Sequence, residues 1–200
     1  EDLWGSVFGS GEIAVILTHM RGRDQTSWFP FARFIAESGY KVLTFDFRGY
    51  GKSTGIKDTR MDRDLEAAIA YMRAKGAQQV ILIGASMGGT AVIELASESQ
   101  VQGVAALSPP AEFGRINALT AVESMVIPLL LIVSENDYQY YSDARKIESA
   151  AAATQFLVVE GQQHGTNMIA EHRNEIFANL LAFLDRWTDD RLLTTVQTES

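Results

Sequence analysis

The chain of 200 residues contains no cysteine. That absence excludes disulfides, thiolate zinc sites, iron–sulfur clusters and a cysteine nucleophile, and it leaves the redox compartment open. Histidine is scarce, with only three residues, so few groups are available as a base near neutral pH. Basic residues are outnumbered, 17 against 25 acidic ones, for a net charge of -8. An acidic surface argues against nucleic acid or an anionic membrane as partner. No apolar run approaches the roughly 18 residues that a transmembrane helix needs. Internal repeats, low-complexity tracts and linker-like runs are missing too. The chain opens on Glu1 in place of methionine, which reads as a processed or trimmed product. Its compartment is left open between the cytoplasm and export after removal of an N-terminal segment.

What is present suits one domain over residues 1–200 with a sizeable core, since 46% of residues are hydrophobic. Short apolar runs alternate with helical patterns. The pattern predicts strands at Ile13–His19, Lys41–Phe47, Gln79–Gly84, Val101–Ser108, Pro128–Ser134 and Thr154–Gly161. It predicts helices at Ser27–Gly39, Asp62–Gly76, Met87–Ser99, Asp143–Ala153 and Glu171–Trp187. Apolar strands each followed by a helix imply a doubly wound α/β fold, a mostly parallel sheet with helices on both faces. In such sheets function gathers at the carboxyl ends of the strands. The segment before Ile13 has room for one antiparallel strand and a Gly9-Ser10-Gly11 turn.

The stretch "FDFRGYGKST", Phe45–Thr54, imitates a phosphate-binding loop. In the G-x-x-x-x-G-K-[ST] pattern the first glycine would stand where Asp46 does. A carboxylate there repels phosphate, so a nucleotide site is set aside.

After the strand at Gln79–Gly84 comes "GASMGG", which holds G-x-S-x-G as Gly84, Ser86 and Gly88. A serine on a sharp strand-to-helix turn needs small residues two before and two after, and the turn aims a helix N-terminus at whatever the serine attacks. The competing reading is a glycine-rich turn with a serine cap. A serine hydroxyl needs a base. His164, in "EGQQHGTNM" directly after the last strand, opens at the same sheet edge as Ser86. His172 reads as a solvated helix residue, and His19 ends the first buried strand. The base needs a carboxylate to hold its tautomer. Asp137 lies a short loop beyond a buried strand; Glu135 is the nearest rival and Glu112 a weaker one.

With these residues in order, the chain resembles an α/β-hydrolase fold enzyme, of serine esterase type, over nearly its whole length. The resemblance rests on "GASMGG", the "SEND" loop and "GQQHG". It implies a cofactor-free, metal-free serine hydrolase with Ser86 as nucleophile, His164 as base and Asp137 as acid. "DFRGYGKS" resembles the D-x-R-G-x-G-x-S turn of such enzymes, matched at Asp46, Arg48, Gly49, Gly51 and Ser53, which shapes the floor of the site. The oxyanion hole implied by the resemblance uses the Met87 N–H and one from the loop after the first buried strand, Arg21 or the adjacent Met20. His19 resembles a histidine that supports that loop. The interval Pro109–Val126 has room for one short helix only, so no cap or lid domain is expected. Met20, Arg21, Met87, Phe113, Tyr138 and Tyr140 are candidate walls for a small-molecule ester with a short acyl chain. The same triad also suits a thioesterase, amidase or acyltransferase, and a non-catalytic binding domain of this fold is a further alternative. Ser86 argues against dehalogenation through a carboxylate, and the missing cysteine argues against a dienelactone hydrolase.

Overall fold

Strands rich in Val, Ile and Leu, separated by helices, pair in parallel because each crossover helix returns the chain to the same end of the sheet. The structure, a computed structural model, describes residues 1–98 and 100–196. In chain order the strands are β1 (Gly5–Phe8), β2 (Ile13–Thr18), β3 (Lys41–Phe45), β4 (Gln79–Ala85), β5 (Gly103–Leu107), β6 (Glu112–Phe113), β7 (Ile116–Asn117), β8 (Leu129–Ser134) and β9 (Thr154–Val159). The helices are α1 (Phe29–Glu37), α2 (Met61–Ala74), α3 (Met87–Glu98), α4 (Ala118–Val122), α5 (Tyr138–Ala150) and α6 (Ile169–Val196). Among the described residues the main sheet runs β1-β3-β2-β4-β5-β8-β9. In that sheet, among the described residues, β1 is antiparallel to β3 and the other pairs are parallel. This is the doubly wound, mostly parallel sheet that the alternating pattern predicts.

Both faces of the sheet are buried, which is why its strands read as continuous apolar runs. Ile16, Leu43, Leu82 and Val104 point to one face, against Leu65 and Met72 of α2, Ile93 of α3 and Ile147 of α5. Leu17, Val42, Ile83 and Ile132 point to the other, against Phe31 and Ile35 of α1 and Ile176, Leu180 and Phe183 of α6. The helices do not all keep their expected bounds. In place of one helix over Ser27–Gly39, a 3₁₀ turn, Gln25–Trp28, leads into α1, with Pro30 in its first turn. Helix α5 starts five residues earlier than Asp143. Its buried face is only Asp143, Ala144 and Ile147, so its tyrosine-rich first turn carries no apolar stripe. Helix α6 starts at Ile169 and kinks at His172, which has φ -116° and ψ 30°. Ser99, expected in α3, and 197–200 lie outside the described residues. The interval after Ser108 holds α4 and, unforeseen, the β6–β7 hairpin; strands of two residues show no alternation to read.

The turn after β3 is closed from within. Asp46 Oδ1 accepts from Gln25 N at 2.8 Å and its Oδ2 accepts from Lys52 N at 2.9 Å. Ser53 Oγ donates to Asp46 O at 2.6 Å and accepts from Trp4 N at 2.8 Å. Arg48 is pinned by the buried Asp64 carboxylate, with Nη2 2.6 Å from Oδ1. Gly51 has φ +50°, and a Cβ there would stand 2.1 Å from Asp46 Oδ2. Gly51→Ala is therefore expected to cost about 1–3 kcal/mol, from left-handed strain and displaced carboxylate bonds. A urea unfolding midpoint unchanged from wild type would contradict this.

Candidate active site

Three strands end at one edge and deliver the three candidate residues. Ser86 follows β4 and precedes α3, with φ +51°. Left-handed geometry is costly for a residue with a Cβ, and main-chain bonds hold it: Ser86 N donates to Leu107 O at 2.8 Å and Thr90 N to Ser86 O at 3.0 Å. The flanking glycines leave no room for side chains. A Cβ on Gly84 would lie 2.3 Å from Gly88 O, and one on Gly88 would lie 2.7 Å from His19 O. Thr18 at the end of β2 tightens the same spot, donating to Gly88 O at 3.1 Å.

Beyond β9, His164 precedes a 3₁₀ turn, Gly165–Met168. Beyond β8, Asp137 precedes α5. His164 Nδ1 lies 2.8 Å from Asp137 Oδ2, and the two side chains are 22% and 10% exposed. The structure thus brings Asp137, and neither rival, to His164. Glu135 is exposed and its Oε1 accepts from Asn136 Nδ2; Glu112 sits in the β6–β7 hairpin and accepts from Asn117 Nδ2. The Tyr140 ring lies against the imidazole, tilted by 42° with centroids 4.0 Å apart. Gly165 has φ +54°, and a Cβ there would lie 3.5 Å from Ala85 Cβ and 3.0 Å from Met20 Sδ. That close approach sets the His164 loop against both the residue before Ser86 and the loop after β2.

His19 is fully buried in a different role. Its Nδ1 donates to Met20 O at 2.9 Å, in the tautomer that lets Nε2 accept from Phe47 N at 3.1 Å. Burial pushes its pKa below the ordinary histidine value, against the hydrogen bond to Met20 and the nearby Asp46 and Asp24 charges. The neutral ring therefore stabilises the fold fully above pH 6.5, the unfolded value, and that contribution is lost as pH falls from there toward the folded value. His19→Gln is expected to flatten the loss of stability between about pH 8 and about pH 5, measured by urea midpoints. An equally steep loss in the variant would remove His19 as the cause. His172, by contrast, is partly buried at the α6 kink, 3.8 Å from Glu175.

Met20 and Met87 are buried, and Met87 opens α3, where the first helical N–H groups lack partners within the helix. Met20 O accepts from Arg23 N, and Thr166 Oγ1 donates to Met20 Sδ at 3.3 Å. The Arg21 side chain turns outward, 3.4 Å from Asp58 Oδ2 and 6.0 Å above the Phe113 ring. Tyr50 OH donates to Asp58 Oδ1, and burial, then that bond, pushes the phenol up to about 12. Arg21, Tyr50, Lys57 and Asp58 line a cleft of about 590 Å³. Of the expected walls, Arg21 and Phe113 meet, Tyr140 covers His164, and Tyr138 is 78% exposed on the first turn of α5. Sequence reasoning missed Thr18, Ser108 and Ser134, small polar residues at strand ends whose value lies in long-range bonds.

A left-handed serine on a strand-to-helix turn after β4, with a histidine–carboxylate pair beyond β8 and β9 of the same parallel sheet, is the arrangement typical of the α/β-hydrolase fold. The chain belongs to the alpha/beta hydrolase fold family, whose model matches residues 13–144. Curated relatives include the 2-hydroxy-6-oxononadienedioate/2-hydroxy-6-oxononatrienedioate hydrolase of Klebsiella pneumoniae, 36% identical over 90 residues. Its match covers 42% of this chain and 31% of the relative. The enzyme of the same name from Burkholderia vietnamiensis is 34% identical over 93 residues, covering 44% and 32%. The chain thus spans about a third of the length of the curated relatives it matches. Among solved structures, a Paleococcus ferrophilus monoacylglycerol lipase superposes with a TM-score of 0.81 at 18% identity, over 94% of this chain and 100% of that one. An enol-lactonase from Burkholderia xenovorans gives 0.80 at 14%, over 92% and 96%. At such identities the likeness is one of fold. Among the described residues no helix is long and apolar enough to cross a membrane.

Proposed function

We propose that this hydrolase cleaves carboxylic esters through an acyl-enzyme on Ser86, as a single uncapped domain that needs neither cofactor nor metal. The observation that carries the reading is the 2.8 Å His164–Asp137 pair on the loop that Gly165 sets against Ala85, beside a left-handed Ser86. In the proposed cycle Ser86 Oγ attacks the ester carbonyl carbon while its proton passes to His164 Nε2. The imidazolium donates Nδ1–H to Asp137 and gives its other proton to the departing alcohol. Water, activated by the same imidazole, then releases the acid. The Met87 N–H and that of Arg21 or Met20 hold the developing oxyanion, each worth about 3 kcal/mol. Met20, Arg21, Met87, Phe113, Tyr138 and Tyr140 form the walls for a small-molecule ester.

The interval Pro109–Val126 contributes one helix of five residues and a hairpin, little surface for sheathing a long chain. Each further methylene stabilises the complex, by about 0.8 kcal/mol, only where walls bury it. A series of p-nitrophenyl esters is therefore expected to give kcat/KM that peaks at roughly two to eight acyl carbons, with no jump when substrate forms an emulsion. Fastest turnover on long-chain emulsified triglyceride would contradict the open site. The curated relatives favour a second reading, hydrolysis of a 2-hydroxy-6-oxo-dioate. Turnover of such a compound at a higher kcat/KM than any simple ester would select it.

A further inference from the structure

Two buried serines outside the candidate triad grip the main chain on both sides of His164. Ser134 ends β8, and its Oγ donates to Gln163 O at 2.7 Å. Ser108 follows β5, and its Oγ accepts from Gly165 N at 3.2 Å. Both serines are fully buried. Ser108 takes φ +48°, an unfavourable conformation for a residue with a Cβ, and is seated by its N–H on Ile132 O at 2.8 Å. Ser134 also reaches the acid, since its O accepts from Asp137 N at 3.2 Å. The His164 loop leaves β9 at the sheet edge with a left-handed glycine on each side of His164, Gly161 at φ +92° and Gly165 at φ +54°, and Gly161 O accepts from Asn136 N at 3.0 Å. Two hydroxyls at the ends of β8 and β5 add a bond each at residues 163 and 165, on either side of the imidazole.

We infer that Ser108 and Ser134 are positioning residues that clamp the His164 loop, so that the imidazole faces Ser86 while Nδ1 stays on Asp137. Neither hydroxyl touches the reacting atoms in this account. They act through His164, and the inference rests on the triad reading above. Each hydroxyl also satisfies a main-chain group next to the imidazole that alanine would leave without its partner. A released loop lets the ring drift, and a misplacement of about 1 Å costs on the order of 10²-fold in rate.

The test uses Ser134→Ala, Ser108→Ala and Ser108→Gly, the last because glycine accepts the left-handed backbone and keeps the chain folded without the hydroxyl. For p-nitrophenyl butyrate, kcat is expected to fall about 10- to 100-fold in the double variant with KM changed less than about threefold. In a His164→Ala background the same substitutions should change the residual rate by less than about twofold, because residues that act through one group are not additive. Proton NMR gives a readout independent of any substrate. The His164 Nδ1 proton on Asp137 should broaden or vanish in the serine variants. The His19 Nδ1 proton on Met20 O should stay, as an internal control for the fold. An unchanged His164 signal with kcat within twofold of wild type would overturn the inference, and so would loss of both histidine signals together, which would mean that the hydroxyls support the fold as a whole. Wild-type protein without esterase turnover but with the His164 signal lost in the variants would sink the ester reading and leave the clamp standing.

Discussion

Ser86→Ala is expected to lower kcat/KM for p-nitrophenyl esters by about 10⁴-fold or more, the loss that follows removal of a triad nucleophile. The fold should survive. The bonds that seat residue 86, its N–H to Leu107 O and its carbonyl from Thr90 N, belong to the main chain. Alanine carries the same Cβ as serine, so the left-handed strain at φ +51° is essentially unchanged. A small residual rate would remain from the oxyanion donors and from substrate binding alone. Activity is to be read together with a urea midpoint. A variant that keeps more than about a tenth of wild-type turnover would remove Ser86 from the chemistry.

Asp137→Asn is expected to cost roughly 10³- to 10⁴-fold in kcat, and Glu135→Gln less than about threefold. The difference follows from protons. Asp137 Oδ2 lies 2.8 Å from His164 Nδ1 and accepts its N–H, which in the proposed cycle leaves Nε2 bare to take the serine proton. Asparagine can present an N–H at that place, and two donors then face one another. The imidazole escapes by moving its proton to Nε2, the nitrogen that has to stay free. Glu135 has no such hold on the ring: it is exposed and its Oε1 accepts from Asn136. Loss of activity in Glu135→Gln equal to that in Asp137→Asn would assign the acid differently.

The sheet was the most legible part of the chain. Runs such as "VILIG" in β4 and "LLLIV" in β8 are apolar throughout because both faces are covered, and that signal needs no tertiary information. "GASMGG" was legible for a related reason: only glycine fits where a Cβ would strike Gly88 O or His19 O, so the turn shows in the sequence itself. The start of α5 was not, because Tyr138 faces solvent and the first turn carries no periodic stripe. Chain order and strand ends pointed to Asp137, but its 2.8 Å approach to His164 depends on how far each loop leans over the sheet edge. Ser108 and Ser134 were illegible. A serine at a strand end is common, and its bond to a residue 57 or 29 positions away leaves no local pattern.

A nucleophilic Ser86 activated by His164 is read out by a fluorophosphonate probe with intact mass and peptide mapping. One adduct per chain is expected, carried on the peptide containing Ser86, and formed at least about 100-fold more slowly in His164→Ala because the base is gone. An adduct mapped to any other residue, or a wild-type chain that stays unlabelled while folded, would contradict it.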